Sequence, residues 1–144
     1  MWAADKASQR LGMRIDSVGP GTATLSMLIG ESMVNGHGTC HGGFIFLLAD
    51  SAFAFACNSH NQKTVAQNCQ IAFVAPGQLG MRLIAEACER HRSGRSGIYD
   101  VTVRSETGAL IAEFRGFSRA VPGMLVPDAD RPASPARGDD PDDA

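Results

Sequence analysis

The chain has 144 residues and a formal net charge of −2, which predicts one domain that is large enough to bury a core without disulfides or metals. Residues 1–10 are polar, so no secretory signal is predicted. The apolar run at residues 44–57 falls short of the ~20 residues that cross a bilayer. We therefore expect a cytoplasmic chain with no membrane partner.

The charges are divided unevenly along the chain. Residues 120–144 contain six Asp and two Arg, whereas residues 1–119 contain eleven Lys or Arg against nine Asp or Glu. We predict a folded domain over residues 1–122 and a disordered, Pro- and Asp-rich tail over residues 123–144. The domain is too weakly basic for nucleic acid and suits a small anionic ligand. The cysteines form no CxxC pair and the histidines no HExxH motif, so we expect reduced thiols and no metal site.

Three elements are predicted in the first part of the chain. Residues 2–10 favour a short helix or arm. Alternating residues at 12–18 and 22–29, joined by a Gly-Pro-Gly turn, predict a β-hairpin. A polar, glycine-rich loop then leads into a long apolar helix, which we place at residues 42–58.

Four strand-like segments follow the helix. Alternation and turn residues place them at 64–74, 79–89, 98–104 and 109–118, with a Gly/Ser/Arg loop at 92–97. A hairpin, one buried helix and a four-stranded meander imply an α+β fold, in which an antiparallel sheet of five or six strands wraps around one long central helix. Such a sheet leaves an edge or its outer face to be covered, so we expect a dimer or tetramer.

Asp50 is the most informative single residue, because it stands in the middle of the apolar helix. Between Phe44 and Cys57 only Asp50 and Ser51 are polar, so the helix should be buried on all sides. A buried carboxylate without partners is costly, or its pKa rises. From residue type alone, Asp50 is either a hydrogen-bonded structural carboxylate or a catalytic one.

A second candidate lies where the helix should start, at His41-Gly42-Gly43. The first amides of a helix are unpaired donors at the positive end of its dipole, and glycine lets a ligand approach the backbone closely. The pair suits an oxyanion hole, although close packing at a tight turn explains it equally well. Asp50 lies ~12 Å further along the helix than Gly42. One chain cannot easily bring both to the same carbonyl, so a shared site would lie between two subunits.

The same stretch carries a family resemblance. The chain closely resembles the hot-dog-fold acyl-CoA thioesterases of the phenylacetic acid degradation (PaaI-type) group at Asn35-Gly-His-Gly-Thr-Cys-His41-Gly42-Gly43 and at Leu48-Ala49-Asp50-Ser-Ala-Phe53. It is also similar to later strands of that group at Ser96-Gly97-Ile98-Tyr99-Asp100 and Phe114-Arg115-Gly116. The resemblance covers about residues 10–119. It implies a hot-dog fold, two subunits joined in a continuous double sheet, and a homotetramer built as a dimer of dimers.

The resemblance also implies a substrate and roles. The substrate would be an aryl-acyl-CoA, phenylacetyl-CoA or a ring-hydroxylated form, and no cofactor is implied besides the CoA that the substrate carries. Asp50 would be the nucleophile or the general base that activates water, and Gly42 would polarise the thioester carbonyl through its N–H. Asn35 would orient water or substrate, and His41 would support the loop or the sulfur side of the thioester. Further candidates for binding substrate are Gly43 and, toward the CoA phosphates, Arg90, Arg92 and Arg95.

Simpler interpretations stand beside most of these roles. His41 also fits a loop-stabilising histidine, Asn35 a turn residue, and the three arginines a solvated basic loop. The phenylalanines of the helix fit a core, although one could line an acyl pocket. The alternative functions are a hot-dog hydratase or dehydratase with His41 as its base, and a non-catalytic acyl-CoA-binding module.

Overall fold

The structure is a computed structural model that describes residues 1–127. Its α-helices and strands are α1 (Lys6–Arg10), β1 (Arg14–Gly19), β2 (Thr22–Leu28), α2 (Gly42–Asn58), β3 (Gln62–Phe73), β4 (Arg82–Ser93), β5 (Ser96–Ser105) and β6 (Leu110–Met124). Short 3-10 helices occupy Trp2–Ala4 and Glu31–Met33. Because β6 continues to Met124, the predicted domain boundary after residue 122 falls inside a strand. The predicted tail from residue 128 onward lies outside the described residues.

The central helix has the bounds that the sequence predicts. The side chain of Asn58 ties its last turn to the next strand: Nδ2 donates to the Thr64 carbonyl and Oδ1 accepts from the Thr64 amide, both at 2.9 Å. These two bonds set the position of α2 along β3. The apolar sequence of α2 is buried against the sheet chiefly through Ile45, Leu48, Ala49, Ala52, Phe53, Phe55 and Ala56.

The six strands form one sheet in the order β1-β2-β4-β5-β6-β3, with antiparallel neighbours throughout. One antiparallel sheet around one long helix confirms the predicted fold class. The predicted four-stranded meander is wrong, because β3 pairs with β6 and not with β4. The chain after β3 passes the amino end of α2, where the Cys40 amide bonds the Gly77 carbonyl at 2.8 Å. This crossing places β4 beside β2, so that β3 and β1 form the two edges of the sheet.

The predicted loop at residues 92–97 is also wrong. The strands β4 and β5 pair to their ends, Arg92 with Gly97 and Ser93 with Ser96, so only Gly94 and Arg95 form the turn. This end of the hairpin is exposed over residues 91–96. Polar side chains there break the apolar alternation that marks a half-buried strand, while the backbone ladder continues.

The sheet approaches α2 closely at β6. A Cβ on Gly116 would lie 2.8 Å from the Phe53 ring, so only glycine lets the helix pack at this depth. The Phe53 ring also lies 5.6 Å from Tyr99 and 5.8 Å from Phe114 between ring centroids. None of the helices within residues 1–127 is long and apolar enough to cross a membrane.

Candidate active site

The loop before α2 is organised by Asn35. Its Oδ1 accepts hydrogen bonds from the His37 amide at 2.9 Å, the Thr39 amide at 3.2 Å and the Thr39 hydroxyl at 3.3 Å. The amide oxygen of Asn35 is therefore engaged inside the loop, in an Asx-type turn. This geometry matches the simpler interpretation of Asn35 and leaves only its Nδ2 group for a ligand.

His41 caps the amino end of α2. Its Nδ1 accepts a hydrogen bond from the Gly43 amide at 2.9 Å, which identifies the neutral ring with its proton on Nε2. The Gly43 amide is thus occupied by its own chain. Within residues 1–127 the Gly42 amide has no hydrogen-bond acceptor. It is a free donor at the positive end of the helix dipole.

Phe73, at the end of β3, lies over Gly42. A Cβ on Gly42 would lie 2.9 Å from Phe73 Cζ, and the Phe73 side chain is itself 54% exposed. Beside this contact is an apolar cavity of about 450 Å³, lined by Thr39, Cys40, Gly42, Ile45, Phe73, Val74, Ala75 and Pro76. Gly42 therefore lines a space that suits an apolar group.

Asp50 lies on the face of α2 that the sheet leaves open. Gly43, Leu47, Asp50 and Ala54 follow one another at helical spacing and are all half-buried or exposed. The Asp50 carboxylate accepts a hydrogen bond at Oδ1 from the thiol of Cys69 on β3, at 3.8 Å. Burial raises the pKa of Asp50, and the hydrogen bond from Cys69 partly offsets this rise.

One protomer does not bring Asp50 and Gly42 to a common point. They stand on the same straight helix, ~12 Å apart along its axis. A carboxylate and an amide that act on one carbonyl must each come within about 3–3.5 Å of it. The two groups can serve one bond only if a second copy of the chain supplies one of them.

The three predicted arginines lie on the β4–β5 hairpin, where Arg92 and Arg95 line a pocket with Cys57 and His60 at the carboxyl end of α2. Arg90 faces Asp100, with Nε 3.5 Å from Oδ2, and Arg92 faces Glu89, with Nε 3.8 Å from Oε2. Arg95 stands in the exposed turn between β4 and β5. The structure therefore does not bring these arginines together with Gly42 and Asp50 within one chain.

A polar cluster also lies at this carboxyl end. The Glu89 carboxylate accepts hydrogen bonds at Oε2 from Tyr99 Oη at 2.6 Å and from His60 Nε2 at 2.7 Å. These bonds, with the charge of Arg92, lower the pKa of Glu89 against the opposing effect of burial. Every member of the cluster has a partner within the fold, which is typical of a structural network.

Metal-binding side chains are not grouped in the described part of the chain: residues 1–127 contain no cluster of three or more His, Cys, Asp or Glu that could hold an ion. The four cysteines, Cys40, Cys57, Cys69 and Cys88, form no disulfide. Sequence reasoning missed two neighbours of the candidate groups, Cys69 beside Asp50 and Phe73 beside Gly42. Both lie on the predicted strand 64–74, at alternate positions that share one face, but nothing in the sequence shows which helix residues they meet.

Comparisons with known proteins identify the family to which the chain belongs. The thioesterase superfamily matches residues 37–112. The acyl-coenzyme A thioesterase PaaI of Escherichia coli K12 is 40% identical over 129 residues, which span 90% of this chain and 92% of that protein. The solved structure of the E. coli PaaI protein from the phenylacetic acid degradation operon has a TM-score of 0.85, covering 86% of this chain and 90% of that chain.

A solved structure from a second organism is also similar. A mutant of the phenylacetic acid degradation protein PaaI from Thermus thermophilus is 37% identical with a TM-score of 0.76, and the match covers 79% of this chain and 97% of that chain. The resemblance seen in the loop and helix thus extends over nearly the whole folded part of the chain. The chain has the hot-dog fold and belongs to the thioesterase superfamily.

Proposed function

We propose that this protein is an acyl-CoA thioesterase that hydrolyses an aryl-acyl-CoA, such as phenylacetyl-CoA or a ring-hydroxylated form, to the free acid and CoA. The observation that carries the proposal is the carboxylate of Asp50 on the open face of α2, on the same helix as the free amide of Gly42. The E. coli relative that is named an acyl-coenzyme A thioesterase, 40% identical over 90% of this chain, supports the same reaction class.

The proposed chemistry uses Asp50 in one of two ways. As a general base, its carboxylate takes a proton from water while the water oxygen bonds to the thioester carbonyl carbon. As a nucleophile, its own oxygen forms that bond and gives a mixed anhydride, which water then hydrolyses. In both routes the Gly42 N–H stabilises the negative charge on the carbonyl oxygen, and the C–S bond breaks with its electron pair going to sulfur. In the first route the CoA sulfur takes the proton that Asp50 removed from water, and in the second CoA leaves as a thiolate that takes a proton from solvent. No cofactor beyond the CoA of the substrate takes part.

The site is proposed to form between two copies of the chain. Two features support a dimer: the open row Gly43, Leu47, Asp50 and Ala54 on α2, and the long edge strand β3, where Val65 is 44% exposed. An uncovered edge strand of this length readily pairs with another chain. Pairing at β3 would place a partner helix against the open row. Antiparallel helices would then bring Gly42 of one subunit toward Asp50 of the other.

The larger assembly, the location and the ligand contacts are proposals of the same kind. We expect a dimer of dimers in the cytoplasm, with no nucleic-acid partner. The apolar cavity beside Gly42 suits the acyl group, because it adjoins the amide that would hold the carbonyl oxygen. Arg90, Arg92 and Arg95 would reach CoA phosphates only if the substrate extends away from Gly42 toward the carboxyl end of a helix.

The two alternative functions receive less support. A hydratase or dehydratase would use His41 as a base, but His41 Nδ1 is occupied by the Gly43 amide. A module that only binds acyl-CoA has no need of a carboxylate whose burial raises its pKa.

The experiment that tests the proposal is CoA release from a panel of acyl-CoA substrates. Phenylacetyl-, hydroxyphenylacetyl-, benzoyl- and straight-chain acyl-CoAs are compared for the wild type and for Asp50→Asn, with a protein blank for its own thiols. We expect aryl-acetyl substrates to be preferred and Asp50→Asn to lose about 10³-fold or more in kcat with little change in substrate affinity. A folded Asp50→Asn protein with wild-type rates would remove Asp50 from the mechanism. Tight binding without turnover in the wild type would indicate a binding module.

A further inference from the structure

The contact between Cys69 and Asp50 joins the edge strand to the central helix. Cys69 lies on β3 and its thiol is 3.8 Å from Asp50 Oδ1, within the range of a hydrogen bond that involves sulfur. Within residues 1–127, the Cys69 thiol is the only group that donates a hydrogen bond to the Asp50 carboxylate. The Asn58–Thr64 bonds hold helix and strand in the alignment that makes the contact.

Few ionisable groups lie close enough to the Asp50 carboxylate to act on it. The buried residues of α1, β2 and β6 carry none, namely Ser8, Ala23, Leu25, Ser26, Met27, Ile111, Ala112, Phe114, Gly116 and Ser118. On the other elements beside α2, ionisable groups near the helix are Cys69 on β3, Glu89 on β4 and Tyr99 on β5, whereas Arg14 and Asp16 on β1 are exposed. Cys57 lies on the helix itself and His60 just beyond its end. Tyr99 and His60 both bond Glu89, and the Cys57 thiol donates to the Ala54 carbonyl. Cys69 is therefore the group that bonds the Asp50 carboxylate.

We propose that Cys69 is a positioning residue: its thiol donates a hydrogen bond to Asp50 Oδ1 and holds that carboxylate in one orientation against β3. The thiol is suited to this task because it stays protonated. Burial and the adjacent Asp50 charge raise the pKa of Cys69 to about 11, so the group is a donor throughout the neutral range. The contact stands on geometry alone, whereas its effect on turnover rests on the proposed function.

The contact can be tested without measuring activity. In a ¹³C NMR titration of the aspartate carboxyl groups, the Asp50 signal is assigned by its loss in Asp50→Asn. Cys69→Ala removes the donor, Cys69→Val removes it while filling the space, and Cys88→Ala is the control, since Cys88 is an exposed cysteine on β4. We expect the Asp50 midpoint to move to higher pH in both Cys69 variants and to stay unchanged in Cys88→Ala. An unchanged midpoint in the folded Cys69 variants would overturn the proposal.

A second measurement keeps Cys69 in place. Iodoacetamide labelling of each cysteine, followed by mass spectrometry across a pH series, is compared for the wild type and for Asp50→Asn. Loss of the Asp50 charge should move Cys69 labelling to lower pH and leave Cys88 labelling as it was, since coupling between two groups is reciprocal. Equal Cys69 profiles in the two proteins would contradict the contact.

Kinetics then separates the two proposals. In an active thioesterase, the acid limb of kcat/KM should move to higher pH in Cys69→Val by the same interval as the NMR midpoint, with little loss on the alkaline plateau. A merely structural cysteine would lower activity equally at all pH values, which would contradict a positioning role. If no thioester is turned over, the proposed function fails while the NMR and labelling results still decide the contact.

Discussion

The two ends of α2 are both rich in polar groups, and they use them in opposite ways. At the carboxyl end, Asn58 bonds both backbone groups of Thr64, and Ser59 Oγ accepts a hydrogen bond from the Gly21 amide at 2.7 Å. The Glu89 carboxylate close by is bonded by His60 and Tyr99. At the amino end, the loop engages Asn35 Oδ1 and the Gly43 amide, but the Gly42 amide has no acceptor within residues 1–127.

This difference in hydrogen bonding distinguishes structural polar groups from functional ones better than residue type does. A polar network that is complete within one chain stabilises the fold and leaves nothing for a ligand. A donor without an acceptor at a helix start, beside an apolar cavity and on the same helix as a half-buried carboxylate, has a cost in the isolated chain that a substrate or a partner subunit offsets. We therefore expect substitutions at the amino end to change turnover and substitutions at the carboxyl end to change stability.

Among the substitutions that compare the two ends of α2, the largest effect is expected at Gly42. Gly42→Ala puts a methyl group beside the free amide and 2.9 Å from the former position of Phe73 Cζ. The exposed Phe73 ring can move aside, so the fold should persist, but the methyl group obstructs the approach of the carbonyl. We expect kcat to fall by roughly 10²–10³-fold, the loss typical of one oxyanion donor, as measured by CoA release.

A matched control is available in the same loop. Gly36→Ala adds a methyl group where nothing lies within 4 Å, so its activity should stay at the wild-type level. Equal losses in Gly36→Ala and Gly42→Ala would show that loop mobility, and not the Gly42 amide, limits the reaction.

At the carboxyl end, Tyr99→Phe removes one hydrogen bond to the Glu89 carboxylate and keeps the buried ring. Because the lost bond is to a charged group, we expect the free energy of unfolding to fall by about 1–2 kcal/mol, measured by urea denaturation, with kcat/KM unchanged. A loss of turnover without a loss of stability would place this cluster in the active site and overturn the contrast between the two ends.

The smallest effect concerns the stability cost of Asp50. Burial raises the pKa of this carboxyl in the folded state, so its ionised form destabilises the fold at neutral pH, and this cost is lost as the pH falls through the folded-state pKa. We expect Asp50→Asn to have a higher Tm than the wild type at pH 7, and the difference to shrink as the pH is lowered. A Tm difference that stays constant with pH would indicate that the change in side-chain packing, not the charge, is responsible.

The sequence predicted the parts of this fold that depend on local pattern. The bounds of α2 follow from one apolar segment with a glycine pair before it, and the antiparallel sheet from alternating strands. The pairing of β3 with β6 could not be predicted, because it depends on where the chain crosses after residue 73. The loop predicted between β4 and β5 was too long, because the strand ends that flank the turn are exposed and polar and so lack the apolar alternation of a half-buried strand.

The candidate site shows the same limit. Asp50 and Gly42 could be named as candidates from the sequence, since a carboxylate stands in an apolar helix and a glycine pair at its start, but residue type alone left a structural role open for each. The engagement of Gly43 by His41 Nδ1, and the contacts of Cys69 and Phe73, depend on side-chain directions that a sequence does not contain. The sequence offered the amides of a glycine pair as possible oxyanion donors. In the structure, the Gly43 amide is engaged by His41, and within residues 1–127 the Gly42 amide has no acceptor.

Mixing inactive subunits tests the central claim, a site shared by Asp50 of one subunit and Gly42 of another, most directly. Asp50→Asn and Gly42→Ala proteins are unfolded together in equal amounts and refolded, and mixed dimers are verified by native mass spectrometry. Each mixed dimer contains one site with both groups intact, so random pairing should restore about a quarter of wild-type activity. Verified mixed dimers that remain inactive would contradict the shared site and require each chain to complete its own.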